Sequence, residues 1–319
     1  MRWLIGAALA IVAVLGVVYW YFLDARAPAS APGVFDIAAY RALTAQDLEG
    51  LPTEARVEFV GTDEAPLFAI EAGAGMGRVQ MAYTAFELVS PSGVTIIDAA
   101  IDQQTSQEMA QGDAARFDAE SYSRVLDAVT RAEHVLITHE HLDHVMGIAR
   151  HPNAAAIAPH LQLTAPQIAA LPRHAPAAGL DPALQNLAPF ALDAPTRIAP
   201  GIVAAPMPGH SPGSIVIYAR TQGGREYLFI GDIVWAMRNI DNLRTRPRIL
   251  QLLMFDPNED REAVLAQVRA LHDLRAAEPA LVIVPAHDGA YLRGLVERGA
   301  LAEGFETPPQ PAPDPAPEE

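Results

Sequence analysis

The sequence predicts an α/β domain carried behind an N-terminal transmembrane helix, and three observations point there. An unbroken apolar stretch runs from Leu4 to Leu23. Short apolar runs of strand length end in a histidine or a Gly-Asp pair near residues 134–139, 228–232 and 281–287. Apolar residues recur at helical spacing over Asp118–Arg131 and again after Glu259-Asp260-Arg261, at Ala263, Val264, Val268 and Leu271.

The stretch Leu4–Leu23 is long enough to cross a hydrocarbon core as a helix. Trp3 at one end and Tyr19-Trp20-Tyr21-Phe22 at the other stand where interfacial aromatic belts lie. Small-residue sites at Ala25-Arg26-Ala27 and Ala29-Ser30-Ala31 are each followed by Pro, which opposes signal-peptide cleavage. Residues 1–26 are therefore read as an uncleaved anchor. The very short tail before it fits retention inside, with the rest of the chain outside the cytoplasm, periplasmic in a Gram-negative cell. Arg2 on one side and Arg26 and Arg41 on the other nearly balance the flanking charge. Residues 27–33 read as a Pro/Ala linker, 34–305 as one domain and 306–319 as a disordered, acidic, Pro-rich tail.

Lys and Arg total 22 against 38 Asp and Glu, a net charge of −16, and every base is Arg. Such a surface repels phosphate backbones and excludes a nucleic-acid partner. No polybasic run flanks the span to hold anionic lipid heads. The absence of Cys removes any disulfide argument.

Along the domain, Leu67–Glu71 and Val79–Leu88 read as two strands joined by the loop Gly73-Ala74-Gly75-Met76-Gly77. That loop is no dinucleotide fingerprint, since Arg78 stands where the third glycine belongs. Asp118–Arg131 reads as an outer helix, and His134-Val135-Leu136-Ile137 as a buried strand. Thr138-His139-Glu140-His141-Leu142-Asp143-His144 follows, with Val145–Ile148 opening a helix behind it. Alternate side chains of an extended segment share a face, so His139 and His141 point to one side, and Asp143 and His144 reach a second position as the chain turns. Imidazoles and carboxylates this dense are the donors that zinc and similar dications prefer.

Three later segments present the same chemistry. Pro208-Gly209-His210-Ser211-Pro212-Gly213-Ser214 sets a His in a tight turn before Ile215–Tyr218; Leu228-Phe229-Ile230-Gly231-Asp232 ends an apolar run in a carboxylate; Leu281–Asp288 ends one at His287. Gly209-His210-Ser211-Pro212-Gly213 formally satisfies the Gly-x-Ser-x-Gly elbow of serine hydrolases. That elbow needs a helix after the Ser, whereas Pro212 and the β-branched run predict a strand. Ser211 is expected to bond within its turn. His134, His151, His160, His174 and His272 have no partner at ligand spacing, and His151 and His174, beside Pro, read as exposed loop residues.

Across roughly Phe59 to Tyr291 these motifs resemble the metallo-β-lactamase superfamily. The resemblance implies a four-layer αββα sandwich with a dinuclear centre at one edge. It places His139, His141 and His210 on one ion, Asp143, His144 and His287 on the other, and Asp232 between them. It implies two zinc ions, with iron or manganese as alternatives, and a small-molecule substrate. Val94-Thr95-Ile96-Ile97-Asp98 matches the strand whose terminal Asp supports the metal-binding loop. Paired dications about 3.5–4 Å apart acidify a shared water and polarise a carbonyl or phosphoryl oxygen. Asp143 and Asp232 are the carboxylates expected to take part in the chemistry, Asp143 by carrying a proton to the leaving group.

Within the superfamily, zero Cys and the Gly231-Asp232 bridge differ from the two main β-lactamase branches, and the chain has no length after His287 for the helical domain of glyoxalase II-type thioesterases. The terminal Ala286-His287-Asp288 and compact end resemble lactonases, which often place a Tyr shortly after the bridging Asp; here Ile233-Val234-Trp235 follows. The expected function is a membrane-anchored hydrolase of an ester or lactone. An iron-dependent sulfur dioxygenase-like oxidoreductase is the alternative from another class, and β-lactamase or phosphodiesterase activity the alternatives on the same fold. Leu161–Arg197 and Trp235–Phe255 are expected to wall the pocket, with Trp235, Met237, Met254 and Phe255 against an apolar group and Arg238 or Arg244 on an anionic end.

Overall fold

The computed structural model describes residues 2–109, 116–254 and 258–305. Phe255 and the predicted tail 306–319 lie outside them, as does the side chain of Met254. The strands are β1 (Glu54–Pro66), β2 (Arg78–Ser90), β3 (Gly93–Ile97), β4 (Arg116–Phe117), β5 (His134–Leu136), β6 (Thr196–Ala199), β7 (Ile202–Pro206), β8 (Ile215–Arg220), β9 (Glu226–Gly231), β10 (Val282–Pro285) and β11 (Ala302–Glu303). They form one sheet in the order β11-β1-β2-β3-β5, with β4 also on β1, and a second in the order β10-β9-β8-β7-β6.

Strands buried on both faces explain the near-continuous apolar runs. In β8, Ile215 and Ile217 point between the sheets, where they meet Phe86, Leu88, Ile97 and Phe229. Val216 and Tyr218 point the other way, into a cluster with Tyr40, Val264, Val268 and Leu271. A third cluster packs Val60, Ala85 and Ile96 of the first sheet against Val125 and Val129. Two sheets face to face with a helical layer outside each make the four-layer αββα sandwich that the resemblance implies.

The outer helices stand where their spacing predicts. Ala119–Arg131 is capped by Asp118, which accepts from the amides of Glu120 and Ser121. Asp260 does the same for Arg261–Ala277 through the amides of Glu262 and Ala263.

Most of each sheet is antiparallel, but β1 pairs with β11, β3 with β5 and β9 with β10 in parallel. A parallel pair needs a crossover, and the helices Ala119–Arg131 and Arg261–Ala277 lie in those of the last two. These two pairs deliver their C-terminal ends to the same edge. Asp98 follows β3, His139 follows β5, Asp232 follows β9 and His287 follows β10.

The predicted strand at Leu67–Glu71 is a correction. Leu67–Ile70 is a helical turn, and the strand pairing with β2 lies earlier, at Glu54–Pro66. Pro66, with no amide hydrogen, closes the ladder opposite Arg78, and the Leu67 amide bonds the Gly77 carbonyl across the loop. Leu67-Phe68-Ala69-Ile70 then coils so that Ile70 packs on Met81 and Ala236.

At the N-terminus, Arg2–Leu23 is helical, with a π-helical last turn, and none of it is buried in the domain. Its exit is not free chain. Ala27 donates to the Leu243 carbonyl at 2.8 Å and Thr245 to the Ala25 carbonyl at 3.0 Å, so a short antiparallel bridge stitches 25–27 to 243–245.

Candidate metal centre

The loop after β5 is shaped by Asp98, which accepts from the Thr138 amide at 2.7 Å and from its hydroxyl at 2.9 Å. Glu140 points the other way. Its carboxylate accepts from the Ser211 hydroxyl at 2.7 Å and from the Gly213 amide at 3.1 Å, so it binds the 138–144 loop to the 208–214 turn. Gly213 is required there, since a Cβ would sit 2.4 Å from Glu140 Oε2. Ser211 bonds Glu140 as well as Ser214 of its own turn, and a strand, not a helix, follows it.

All seven predicted ligand residues converge. Donor atoms of His139, His141 and His210 lie within 4.8 Å of one another, as do those of His139, His144 and Asp232, and those of Asp143, His144 and His287. His141 Nδ1 is 3.0 Å from His210 Nε2, and His144 Nε2 is 3.4 Å from His287 Nε2. Asp232 stands between the groups: His287 Nε2 is 3.0 Å and His144 Nε2 3.4 Å from Oδ1, and His210 Nε2 is 3.7 Å and His139 Nε2 3.8 Å from Oδ2. Asp143 Oδ2 lies 3.3 Å from His287 Nε2, and Asp143 is the most exposed of the carboxylates here.

The outer hydrogen bonds choose the ligand nitrogens. Nδ1 of His144 faces Asp98 at 2.9 Å, Nδ1 of His287 the Ala82 carbonyl at 2.7 Å, Nδ1 of His210 Glu259 at 3.2 Å and Nδ1 of His139 the Thr138 hydroxyl at 3.2 Å. An oxygen that accepts the Nδ1 proton leaves the Nε2 lone pair turned inward. His139 Nε2 is buried with no hydrogen-bond partner. A buried orphan nitrogen and convergent imidazole pairs fit dications, and the imidazole and carboxylate donor set fits zinc.

Electrostatics follow from burial against charge. Burial, and then neighbouring imidazoles, hold His139 and His141 well below the usual histidine range. Burial also opposes the charged form of His144, but Asp98, Asp143 and Asp232 outweigh it and hold that imidazole well above the range. His287 is raised because Asp232 and Asp143 outweigh its burial. Asp232 is held well below the carboxylate range, where His287, His139 and His144 outweigh its own desolvation. The side lined by Asp98, Asp143 and Asp232 therefore favours positive charge, while His139 and His141 are held neutral.

Trp235, expected in the wall, reaches the centre itself: its indole donates to Asp232 Oδ2 at 2.8 Å and its ring meets the His287 ring edge-on. Met237 is buried in the core behind the second sheet. Arg238 pairs with Glu71, and Arg244 donates to the Ala72 carbonyl at 2.9 Å. The arginine that reaches the centre is Arg246, which the sequence reading did not single out. Nor did it single out Tyr83, whose ring packs edge-on against His287 and whose phenol is pushed up by burial and by Asp143.

Two histidines differ from expectation. His151 is buried, with Nε2 3.2 Å from the Leu126 carbonyl, and His174 is half-buried, with Nε2 3.0 Å from the Glu140 carbonyl. The adjacent Pro residues signal turns, and these turns fold inward.

The sequence profile of the family described as "beta-lactamase superfamily domain" matches residues 95–287. No curated protein sequence matches the chain. Among solved structures, a variant of AiiA from B. thuringiensis with N-decanoyl-L-homoserine bound at its active site superposes with a TM-score of 0.57 at 14% identity, over 76% of this chain and 96% of that one. A probable metal-dependent hydrolase from Staphylococcus aureus gives 0.54 at 14% identity, over 74% and 90%. AidC, described as a dizinc quorum-quenching lactonase in complex with a product, gives 0.50 at 12% identity, over 76% and 92%. At these identities the likeness is one of fold.

Proposed function

The chain belongs to the metallo-β-lactamase superfamily and is a hydrolase of that fold, and we propose that it is a membrane-anchored, dinuclear zinc enzyme that hydrolyses an ester or lactone. His139, His141 and His210 would hold one ion, Asp143, His144 and His287 the other, with Asp232 between them. When bound, the pair would supply a water acidified towards neutrality and a Lewis acid for the substrate carbonyl. The observation that carries this reading is the second donor group, Asp143 with His144 and His287, which a mononuclear iron oxygenase does not need.

The chain's own residues supply orientation and proton movement. Asp98, Thr138 and Ala82 orient the imidazoles of His144, His139 and His287. Trp235 holds Asp232 by one oxygen through its indole N–H. Asp143, at the open side, is placed to carry a proton to the departing oxygen. The ester or lactone reading is supported by the fold shared with enzymes whose described ligands are acyl homoserines. Trp235 stands where lactonases often carry a Tyr, and its N–H is already committed to Asp232 in this structure.

The anchor reading is supported by an apolar helix, Arg2–Leu23, with mean hydropathy 2.2 and no burial in the domain. The domain would then sit outside the cytoplasm. Metal analysis with turnover on lactones, aryl esters, thioesters, β-lactams and phosphodiesters tests the enzyme: two zinc per chain, chelator-sensitive activity restored by zinc, and preference for lactones or esters are expected. A chelator-insensitive esterase, or one iron per chain, overturns it. Intact mass of the membrane-fraction protein tests the anchor; loss of the first residues as a signal peptide overturns it.

A further inference from the structure

The outer nitrogen of His210 meets two side chains of opposite charge. Glu259 Oε2 lies 3.2 Å from His210 Nδ1, and Arg246 Nη2 lies 2.9 Å from the same nitrogen. The two are themselves paired at 2.6 Å, with 6% of the Arg246 side chain and 11% of the Glu259 side chain exposed. Burial opposes the charge on Glu259, but Arg246 and then His210 outweigh it and bring its carboxyl down to about 2. Nothing in the hydrolysis proposed above employs either charge directly.

The contact is a choice between two tautomers. A guanidinium carries only donors. If Arg246 donates to Nδ1, the imidazole proton must sit on Nε2, and that nitrogen has no lone pair for a cation. If Nδ1 keeps the proton, a carboxylate must accept it, and Nε2 is left as a ligand facing His141. Charge-assisted acceptance by Glu259 favours the second arrangement, and Glu259 at 2.6 Å also offers the Arg246 N–H a stronger acceptor than the imidazole nitrogen. The guanidinium is steadied from its other side, lying 4.5 Å over the Trp235 ring with Nη1 3.4 Å from the Asp232 carbonyl.

We infer that Glu259 is a positioning residue that selects the ligand tautomer of His210 against the competing donor Arg246. The inference rests on His210 being a metal ligand, as proposed above, and it adds a reason for a buried ion pair behind that ligand. Arg246 and Glu259 flank the helix Arg248–Met254, and the anchor's exit is stitched to Leu243–Thr245 immediately before Arg246. Arg246 therefore follows directly on the residues to which the exit of the N-terminal helix is bonded.

The test is the full chain in detergent, titrated with zinc against a chromogenic chelator, together with 15N imidazole spectra of the cation-free protein. Glu259→Ala is expected to weaken one of the two zinc sites about 10–100-fold and to move the His210 proton from Nδ1 to Nε2. Glu259→Gln, whose amide oxygen still accepts, recovers part of both. Adding Arg246→Met to Glu259→Ala removes the competing donor and recovers affinity. Zinc binding by Glu259→Ala equal to the parent's overturns the inference, and so does a double variant as weak as the single one. If Glu259→Ala does not fold, the tautomer in Glu259→Gln decides, since a His210 proton held wholly on Nδ1 there as in the parent overturns the need for the charge. A parent chain that binds two zinc ions but hydrolyses no ester overturns the substrate reading and leaves this one standing.

Discussion

Asp98 Oδ2 lies 2.9 Å from Nδ1 of His144, and the other oxygen of the same carboxylate accepts from the Thr138 amide at 2.7 Å. Asp98 does this from a left-handed backbone conformation, φ +63°, one of the few places where Asp is tolerated at positive φ. One fully buried carboxylate thus fixes both the tautomer of one proposed ligand and the first residue of the loop that carries four of them.

Replacing Asp98 by Ala should weaken the cation site of His144 about 10–100-fold. Zinc stoichiometry and competition with a chelator read this directly. Asp98→Asn, which keeps the acceptor and loses the charge, should fall between. Two full-affinity ions in the Ala variant would show that the imidazole needs no such support.

The convergence of the seven candidate residues is legible because each lies at a chain signal that survives without tertiary context. His139 to His144 is dense within one loop, and His210, Asp232 and His287 each adjoin an apolar run that could only be a buried strand. The hairpin was misplaced because Leu67-Phe68-Ala69-Ile70 is too short for periodicity to separate a strand from a turn of helix. Arg246, Glu259 and Tyr83 carried no signal of their own. Glu259 meets His210 across 49 positions of sequence, and an Arg before a helix or a Glu after one is ordinarily a solvated residue. His174 was misjudged for the same reason, since its partner is a backbone carbonyl, which no sequence pattern marks.

Gly213→Ala should destabilise the domain by about 1–3 kcal/mol, the usual cost of forcing a methyl into a filled site. The new Cβ would fall 2.4 Å from Glu140 Oε2 and 2.9 Å from Gln167 Cγ, so the bonds joining the two ligand loops must give. Thermal unfolding of the metal-free chain measures it. An unchanged Tm would mean that the turn relaxes without disturbing Glu140.

Stability should also fall in acid through Asp102. Burial raises this carboxyl, but the hydroxyl and amide of Thr105 and the Arg150 guanidinium, 2.8 Å away, outweigh it, so its folded pKa lies below the usual aspartate range. A depressed folded pKa contributes stability that is present above the unfolded value and lost as pH falls through the folded one. Asp102→Asn should therefore be less stable than the parent at pH 7, with the gap closing below about pH 4. Urea unfolding at pH 7, 4 and 3 tests this; a gap that stays constant across that range would exclude the ion pair as its source.

The exit of the N-terminal apolar helix makes the last prediction. Ala25 is fully buried, Ala27 and Thr245 donate across the bridge, and Arg269 donates to the Pro28 carbonyl at 2.8 Å. A chain beginning at Asp24 keeps all three bonds, and one beginning at Ser30 keeps none. At about 1 kcal/mol for each bond, the shorter chain should be less stable by about 3 kcal/mol, while both lose the apolar helix and leave the membrane fraction. Its bridge partners, Leu243 to Thr245, lead directly into Arg246, so the shorter chain should bind zinc more weakly at the His210 site. Equal stability and equal zinc affinity in the two truncations would make residues 24–29 a passive tether, and the coupling between anchor and centre would fall with that result.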